Sequence, residues 1–317
     1  MEIRIAWYND ALRPQVINLF AAQYGVDRGS FNRLFEKFYF HPFQKNKCLL
    51  VMALDGDTVA GFQSFFYWPY TYKGKTYNSF QSGNSLVHPA YRGKGIFNQM
   101  LSFIDQENKT AGIDFLMGFP VEASLRNFLK DKWSLILDLP WYVKVCNPFS
   151  FLAFKGGKGF TEGYRYFNTE NPEQELLRLS QDQEFTAWRK EYLAAGFSYT
   201  FKRGGHEIIF HVKPNRRKKV LRELVIGNIL CSSEEAYKEL PAALKELTAA
   251  ARRSFGAHFL SLAINETCPL HLQAAAQQAG FKRSEKKIHF IVKPFGQHGF
   301  AAEPARWLLY RSDIDTW

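Results

Sequence analysis

The chain has 317 residues, and 41 Lys and Arg against 30 Asp and Glu give it a net charge of +11. That length suits two domains, each able to bury a core, and 46% hydrophobic residues with 30 Phe, 15 Tyr and 7 Trp exclude an intrinsically disordered chain. The basic surplus fits an anionic partner such as nucleic acid, a membrane surface or a phosphorylated cofactor, without choosing among them.

Residues 1–10 hold no apolar run of signal-peptide length, and no stretch of about 18 apolar residues follows. A cytoplasmic protein without a membrane span is expected. Residues 11–24 and 30–40 read as helices. Residues 49–54 and 59–68 read as strands joined at Asp55-Gly56-Asp57, a hairpin signal. After a turn at Lys73-Gly74-Lys75, residues 77–87 read as a further strand. Apolar residues at Ile96, Met100, Phe103 and Ile104 have a helical period and predict a helix over 96–110. A strand over 114–119, a helix over 123–132 and a strand over 135–145 complete a mixed sheet with flanking helices.

The glycines and lysines of residues 154–159 lack both the strand before and the Ser or Thr after that a P-loop needs, so they read as part of a linker over 151–172. Beyond it come a helix over 172–193, a hairpin of 197–201 and 208–212 turning at Arg203-Gly204-Gly205, and a strand over 222–230. A helix over 236–254, a strand over 259–264, a helix over 270–279 and a strand over 288–292 follow. Residues 307–315 read as a last strand ending in Asp313 and Asp315. The basic run Arg216-Arg217-Lys218-Lys219 reads as a solvated turn between strands. No RNP-type, helix-turn-helix or zinc-finger pattern accompanies it, so no nucleic-acid partner is expected.

An offset of 144 residues lays Gly112-Ile113-Asp114-Phe115-Leu116 on Gly256-Ala257-His258-Phe259-Leu260, with Met100 on Leu244 and Phe103 on Leu247. The identities are few, but the order of elements is shared, which points to two similar domains in tandem: residues 1–150 and 173–317, joined by 151–172. The four cysteines, at 48, 146, 231 and 268, and the eight histidines show no metal-ligand spacing, so no metal is expected. The aromatic stretch from Phe62 to Tyr72 reads mostly as core or domain interface.

The segment that carries chemistry is Ser85-Leu86-Val87-His88-Pro89-Ala90-Tyr91-Arg92-Gly93-Lys94-Gly95-Ile96-Phe97. A strand ends at Val87, Pro89 stops the pairing, and a glycine-rich turn delivers the chain into a helix near Ile96. A helix N-terminus presents unsatisfied N–H groups and a positive dipole end, so a diphosphate can sit there. Arg92 and Lys94 add positive charge at the same place.

These residues resemble the coenzyme A loop of the GNAT acyltransferase superfamily, in which Arg or Gln, two residues, Gly, one residue, and Gly or Ala follow one another; here the pattern falls on Arg92, Gly95 and Phe97. The order of elements over about residues 1–148 resembles a GNAT domain, and the second half looks like another. The implied fold class is α/β, an α+β mixed sheet, with two acyl-CoA N-acyltransferase-like (GNAT) domains in tandem. The resemblance implies acetyl-CoA as cosubstrate and no metal. Its pantetheine would pair with Ser85, Leu86 and Val87, and its pyrophosphate would rest on amides at Gly93, Lys94, Gly95, Ile96 and Phe97 beside Arg92; Asn127 in the fourth helix joins this set. At the same offset the second half holds Ser232-Ser233-Glu234-Glu235-Ala236-Tyr237-Lys238-Glu239-Leu240-Pro241, with no glycine and three glutamates, so one cosubstrate per chain is expected.

The departures from the family pattern concern catalysis. Phe97 replaces the last small residue of the loop. The tyrosine that in many GNAT enzymes protonates the leaving thiolate has no counterpart, because Phe128 stands at its position. The central strand offers Gln81, Ser82, Asn84 and Ser85 and no carboxylate. Glu122, His88 and Asp313 are the candidate bases, and the C-terminal segment resembles the ends of tandem GNAT enzymes that return to the active cleft. The reading is an N-acetyltransferase acting on an amine of a small polar acceptor, such as an amino sugar or a sugar nucleotide, with a homodimer left open. The alternative is a non-catalytic acyl-CoA-binding or interaction protein.

Overall fold

A computed structural model describes residues 2–146, 159–167, 175–192, 196–218 and 220–316. The first half contains β1 (Ile3–Trp7), α1 (Arg13–Tyr24), α2 (Arg28–Tyr39), β2 (Leu49–Asp55), β3 (Thr58–Tyr67), β4 (Tyr70–Tyr72), β5 (Lys75–Tyr77), β6 (Ser79–Val87), α3 (Ile96–Ala111), β7 (Phe115–Gly118), α4 (Glu122–Lys130) and β8 (Ser134–Val145). The second contains β9 (Phe160–Glu162), β10 (Arg178–Leu179), α5 (Gln183–Tyr192), β11 (Phe197–Arg203), β12 (His206–Arg217), β13 (Leu221–Cys231), α6 (Leu240–Phe255), β14 (Phe259–Ala263), α7 (Leu272–Gln278) and β15 (Lys282–Pro294). Helix boundaries follow local chemistry: Asp27 caps α2 by accepting the Ser30 N–H at 2.7 Å, and Pro14 lies in the first turn of α1, where no amide is needed.

Twelve strands form one continuous sheet in the order β1-β2-β3-β6-β7-β15-β8-β14-β13-β12-β11-β9. β15, from the end of the chain, lies between β7 and β8 of the first half, and β8 lies between β15 and β14 of the second. The two halves therefore complete each other's sheets along the antiparallel β8–β15 pair. One face of the first half buries Phe65, Met100, Ile104 and Trp133 beneath α3 and α4, and the matching face of the second buries Leu244, Leu247, Phe210 and Leu260 beneath α6 and α7. On the opposite face α1, α2, α5 and the C-terminal segment cover a third core that includes Phe62, Trp68, Trp188 and Trp307, all fully buried.

The 144-residue offset holds in three dimensions. It carries α3 onto α6 end for end, and each helix stops at a glycine, Gly112 and Gly256. It carries the parallel pairing of Ser79 with Phe115 and Ser82 with Gly118 onto that of Glu223 with Phe259 and Ile226 with Leu262.

Several sequence expectations are revised. The aromatic stretch from Phe62 to Tyr72 spans two strands: β3 ends at Tyr67, one residue short of the expected end, and Tyr70–Tyr72 joins a separate sheet of order β10-β4-β5. Residues 151–158 and 168–172 of the expected linker lie outside the described residues, but within it Phe160–Glu162 forms the edge strand β9. The helix expected over 172–193 is α5, which starts later, at Gln183; residues 172–174 and 193 lie outside the described residues. Residues 307–315 are not a strand: Trp307 and Tyr310 make isolated bridges to Leu177 and Ile264, and Arg311–Asp313 is a short 3-10 turn. Of the basic run, Arg216 and Arg217 end β12, paired with Arg222 and Leu221 of β13, and Lys218, at φ 48°, follows in the turn; Lys219 lies outside the described residues. All four cysteines are free thiols, and among the described residues no helix is long and apolar enough to cross a membrane and no group of acidic, His and Cys side chains could hold a metal ion.

Candidate active site

β6 and β7 pair in parallel only as far as Ser82 and Gly118; past that level β6 runs on to Val87 without β7. At the same place β6 bulges against β3, since Leu86 faces Phe62 but Gly83 faces Ser64. Asn84 sits in the bulge at φ 45°, a conformation Asn tolerates better than most L-residues. A polar chain supports it: Asn84 Nδ2 donates to Tyr39 Oη at 2.5 Å, Tyr39 donates to Ser64 Oγ at 2.8 Å, and Ser64 donates to the Gly83 carbonyl at 2.6 Å. Ser85 bonds Gln63, which also donates to Ser82 Oγ at 3.0 Å. Burial raises the Tyr39 phenol pKa, so it stays a neutral hydrogen-bonding group.

Beyond the fork the chain makes a 3-10 turn, Pro89–Tyr91, and enters α3. Gly93 and Gly95 have φ of 78° and 71°, and a Cβ at either would meet nothing within 4 Å, so open space lies beside the turn. Gly95 precedes the first turn of α3, where no side chain caps the helix. Its first N–H groups are thus available to an anion. A cavity of about 440 Å³ lies here, lined by Val87, Arg92, Gly93, Gly95, Ile96, Phe97 and Asn127, together with Tyr91, Asn98 and Lys130, which sequence reasoning did not single out. Asn127 and Lys130 stand one helical turn apart on α4, a spacing that could have flagged Lys130. Asn98 ties the two helices together by donating to the Asn127 carbonyl at 2.8 Å.

Ser85, Leu86 and Lys94, also expected to meet the cosubstrate, are not among its lining residues. Ser85 and Leu86 lie on the part of β6 that β7 does not reach, where Leu86 still pairs with Phe62 of β3, and the Lys94 ammonium stands 5.3 Å over the Tyr91 ring. Arg92 donates to the Val87 carbonyl at 3.2 Å and to Gln23 Oε1 at 2.9 Å, so its guanidinium braces strand against α1. Phe97 turns its ring onto Phe128, with centroids 5.2 Å apart.

The three candidate bases are engaged separately. Glu122 Oε2 lies 2.8 Å from His289 Nε2, and His289 Nδ1 lies 2.6 Å from Asp138, so this carboxylate belongs to an ion cluster that ties α4 to β15 and β8. His88 Nδ1 accepts the Ala90 N–H at 3.3 Å and caps the 3-10 turn. Asp313 is buried and accepts the Tyr310 N–H at 3.1 Å, while burial pushes its carboxyl up to about 7.

Asp315, two residues further, is the carboxylate that reaches the fork. Its Oδ1 accepts from Gln81 Nε2 at 2.8 Å, and a Cβ added at Gly83 would lie 3.5 Å from its Oδ2. Burial pushes this carboxyl up to about 6, opposed by the Arg311 charge and the Gln81 hydrogen bond. The segment is anchored along its length. Trp68 Nε1 donates to the Asp313 carbonyl at 2.9 Å, Arg189 donates to the Ser312 carbonyl, and Tyr192 donates to the Asp315 carbonyl at 3.0 Å. Sequence reasoning placed carboxylates at this end of the chain but favoured Asp313.

Residues 4–127 match the family model of an acetyltransferase (GNAT) domain. The first half carries a GNAT domain. The whole chain has the fold of solved GNAT structures. A GCN5-related N-acetyltransferase from Anabaena variabilis matches with a TM-score of 0.63 at 12% identity, covering 95% of this chain and 75% of that one. One from Kribbella flavida matches with a TM-score of 0.61 at 12% identity, covering 95% and 74%. A tandem GNAT protein of the clavulanic acid biosynthesis pathway covers 93% of this chain and 99% of its own at 13% identity, with a TM-score of 0.51. At such identities the likeness is one of fold. No curated protein matches by sequence. The match of residues 4–127 to an acetyltransferase domain supports acyl transfer as the general chemistry.

Proposed function

We propose that the protein transfers an acetyl group from acetyl-CoA to an amine of a small polar acceptor, in the first instance an amino sugar or sugar nucleotide, within the cytoplasm. The observation that carries the reading is the juxtaposition of an open cavity at the N-terminus of α3 with a fork in the sheet closed by the Asp315 carboxylate. The pyrophosphate would rest on the amides of Gly95, Ile96 and Phe97, with Lys130 and Lys94 supplying charge and Arg92 holding the turn in shape. Pantetheine would pair with Ser85, Leu86 and Val87, where β6 has lost its parallel neighbour, placing the thioester at the fork. A backbone N–H near Leu86 or Val87 would meet the developing oxyanion.

The acceptor nitrogen attacks the thioester carbonyl and a C–N bond forms. The proton leaving that nitrogen passes to Asp315, the C–S bond breaks, and the sulfur departs as a thiolate that takes its proton from solvent. A base that titrates at about 6 is ionised at neutral pH yet still basic enough to accept a proton. Release of thiol from acetyl-CoA across amino sugars, polyamines and amino acids tests the reading; it expects turnover of at least one class. Binding of acetyl-CoA with no thiol release would favour the non-catalytic reading. That second reading draws on Phe128, which is buried against Phe97 and Trp133 where a tyrosine acid is usual in the family.

A further inference from the structure

The C-terminal segment closes on itself around Asp315. Arg311 Nη2 donates both to the Thr316 carbonyl, at 3.0 Å, and to Thr316 Oγ1, at 3.1 Å, so one guanidinium nitrogen joins the two ends of residues 311–316. The loop begins in the 3-10 turn Arg311–Asp313 and carries Asp315 just before its closure. Its neighbours hold Asp315 from two further sides: Tyr192 of α5 donates to its carbonyl at 3.0 Å, and Gln81 of β6 donates to its Oδ1 at 2.8 Å. Of these three contacts, the closure alone is made by a charged group.

That charge also acts on the carboxylate. Tyr39 of α2 and Tyr192 of α5 both feel Asp315, but burial raises their phenols and keeps them neutral. Arg311 is the cation that works against the burial of Asp315, and Asp315 in turn is the carboxylate that works against the burial of Arg311. Lys213 of β12 lies near enough for the Arg311 charge to join burial in lowering its pKa. An ion pair drawn out of water is costly to break from either side, because the group left behind stays uncompensated.

We propose that Arg311 is a positioning residue for Asp315, closing the loop that presents the carboxylate to the fork and supplying the positive charge that favours its ionised form. The proposal rests on the acetyltransferase reading and deepens it by naming the group that prepares the base. It is tested on an amine that is turned over, by thiol release from acetyl-CoA across pH. Arg311→Gln should move the acid limb of kcat/KM up from about 6 by roughly 1 pH unit, a loss of at least about fivefold at pH 6, and should leave acetyl-CoA affinity within about twofold. Arg311→Lys, which keeps the charge without the planar fork, should return the limb to about 6. A limb that stays in place or moves down in Arg311→Gln overturns the proposal, and so does a loss confined to acetyl-CoA binding. Full turnover by Asp315→Asn strikes the base reading instead. In that event, or if no amine is turned over, the difference in unfolding free energy between wild type and Asp315→Asn, followed across pH, isolates the carboxyl's titration. The folded carboxyl holds its proton above the ordinary carboxylate range, so this difference should change over a window that ends at about 6, and in the Arg311→Gln background the window should reach roughly 1 pH unit higher. Windows that coincide overturn the proposal.

Discussion

In the first half β6 leaves β7 after Ser82, and a cavity of about 440 Å³ opens beyond the fork at the turn into α3; in the second β13 leaves β14 after Ile226, at the same offset, the space beside Asn228, Ile229 and Leu230 is only about 20 Å³, and the turn into α6 borders a cavity of about 490 Å³ walled in part by Glu175, Glu234 and Glu303. The difference has two sources. Leu308 and Tyr310 of the C-terminal segment pack into the second core and line the small remaining space. The turn that leads into α6 is a 3-10 helix, Glu235–Glu239, preceded by Glu234, where the first half has Gly93 and Gly95. One backbone plan therefore yields an open glycine turn flanked by cations or an acidic turn according to a few side chains. The C-terminal segment plugs one fork with residues 308 and 310 and supplies a carboxylate to the other with residue 315.

The comparison can be broken most sharply at Asp315. Asp315→Asn should lower thiol release by about 10²- to 10⁴-fold, the usual contribution of a positioned base, while calorimetry finds acetyl-CoA affinity unchanged. In the wild type kcat/KM should rise with pH through about 6, and that limb should vanish in the variant. Stability should move the other way. The folded pKa lies above the ordinary carboxylate value, so the folded state binds more protons between about pH 4 and 6, and wild-type stability falls as pH rises through that window. Asp315→Asn removes this loss, and its melting temperature relative to wild type should be higher at pH 7 than at pH 4.

Next in size is the anion seat. Gly95→Asp combines a side chain at φ 71° with a negative charge at the helix N-terminus. It should weaken acetyl-CoA binding by about 100-fold, read by calorimetry, whereas Glu234→Gly in the second half should leave affinity and stoichiometry alone. The bulge is a smaller test. Asn84→Ala loses the bond to Tyr39 and puts alanine at φ 45°, and should cost roughly 1–3 kcal/mol of stability by chemical denaturation. The smallest effect is expected at Arg92. Its guanidinium is engaged with Val87 and Gln23, so Arg92→Gln should weaken acetyl-CoA only several-fold, with a reduced dependence on salt.

The glycine turn into α3 was legible because its signals are local: strand end, Pro89, two glycines and a helical period occupy adjacent positions. The repeat was legible for a similar reason, since α3 and α6 bury the same face at the same spacing. Asp315 was not, because its partner Gln81 lies 234 positions away and nothing in the last residues states which core they cross. The alternative Asp313 differs from it by two residues, and only the 3-10 turn at Arg311–Asp313 decides which carboxylate caps backbone and which reaches β6. The exchange of β8 and β15 between halves was likewise hidden, because strand pairing is set by long-range register while each strand reads locally as an ordinary buried edge.

The central claim is that one half of the chain holds the acyl-CoA seat and the other does not. Calorimetric titration of the full chain with acetyl-CoA tests this most directly. The account predicts one site per chain, weakened by Gly95→Asp and indifferent to Glu234→Gly. Two sites per chain, or a single site that survives Gly95→Asp and responds to Glu234→Gly, would contradict it.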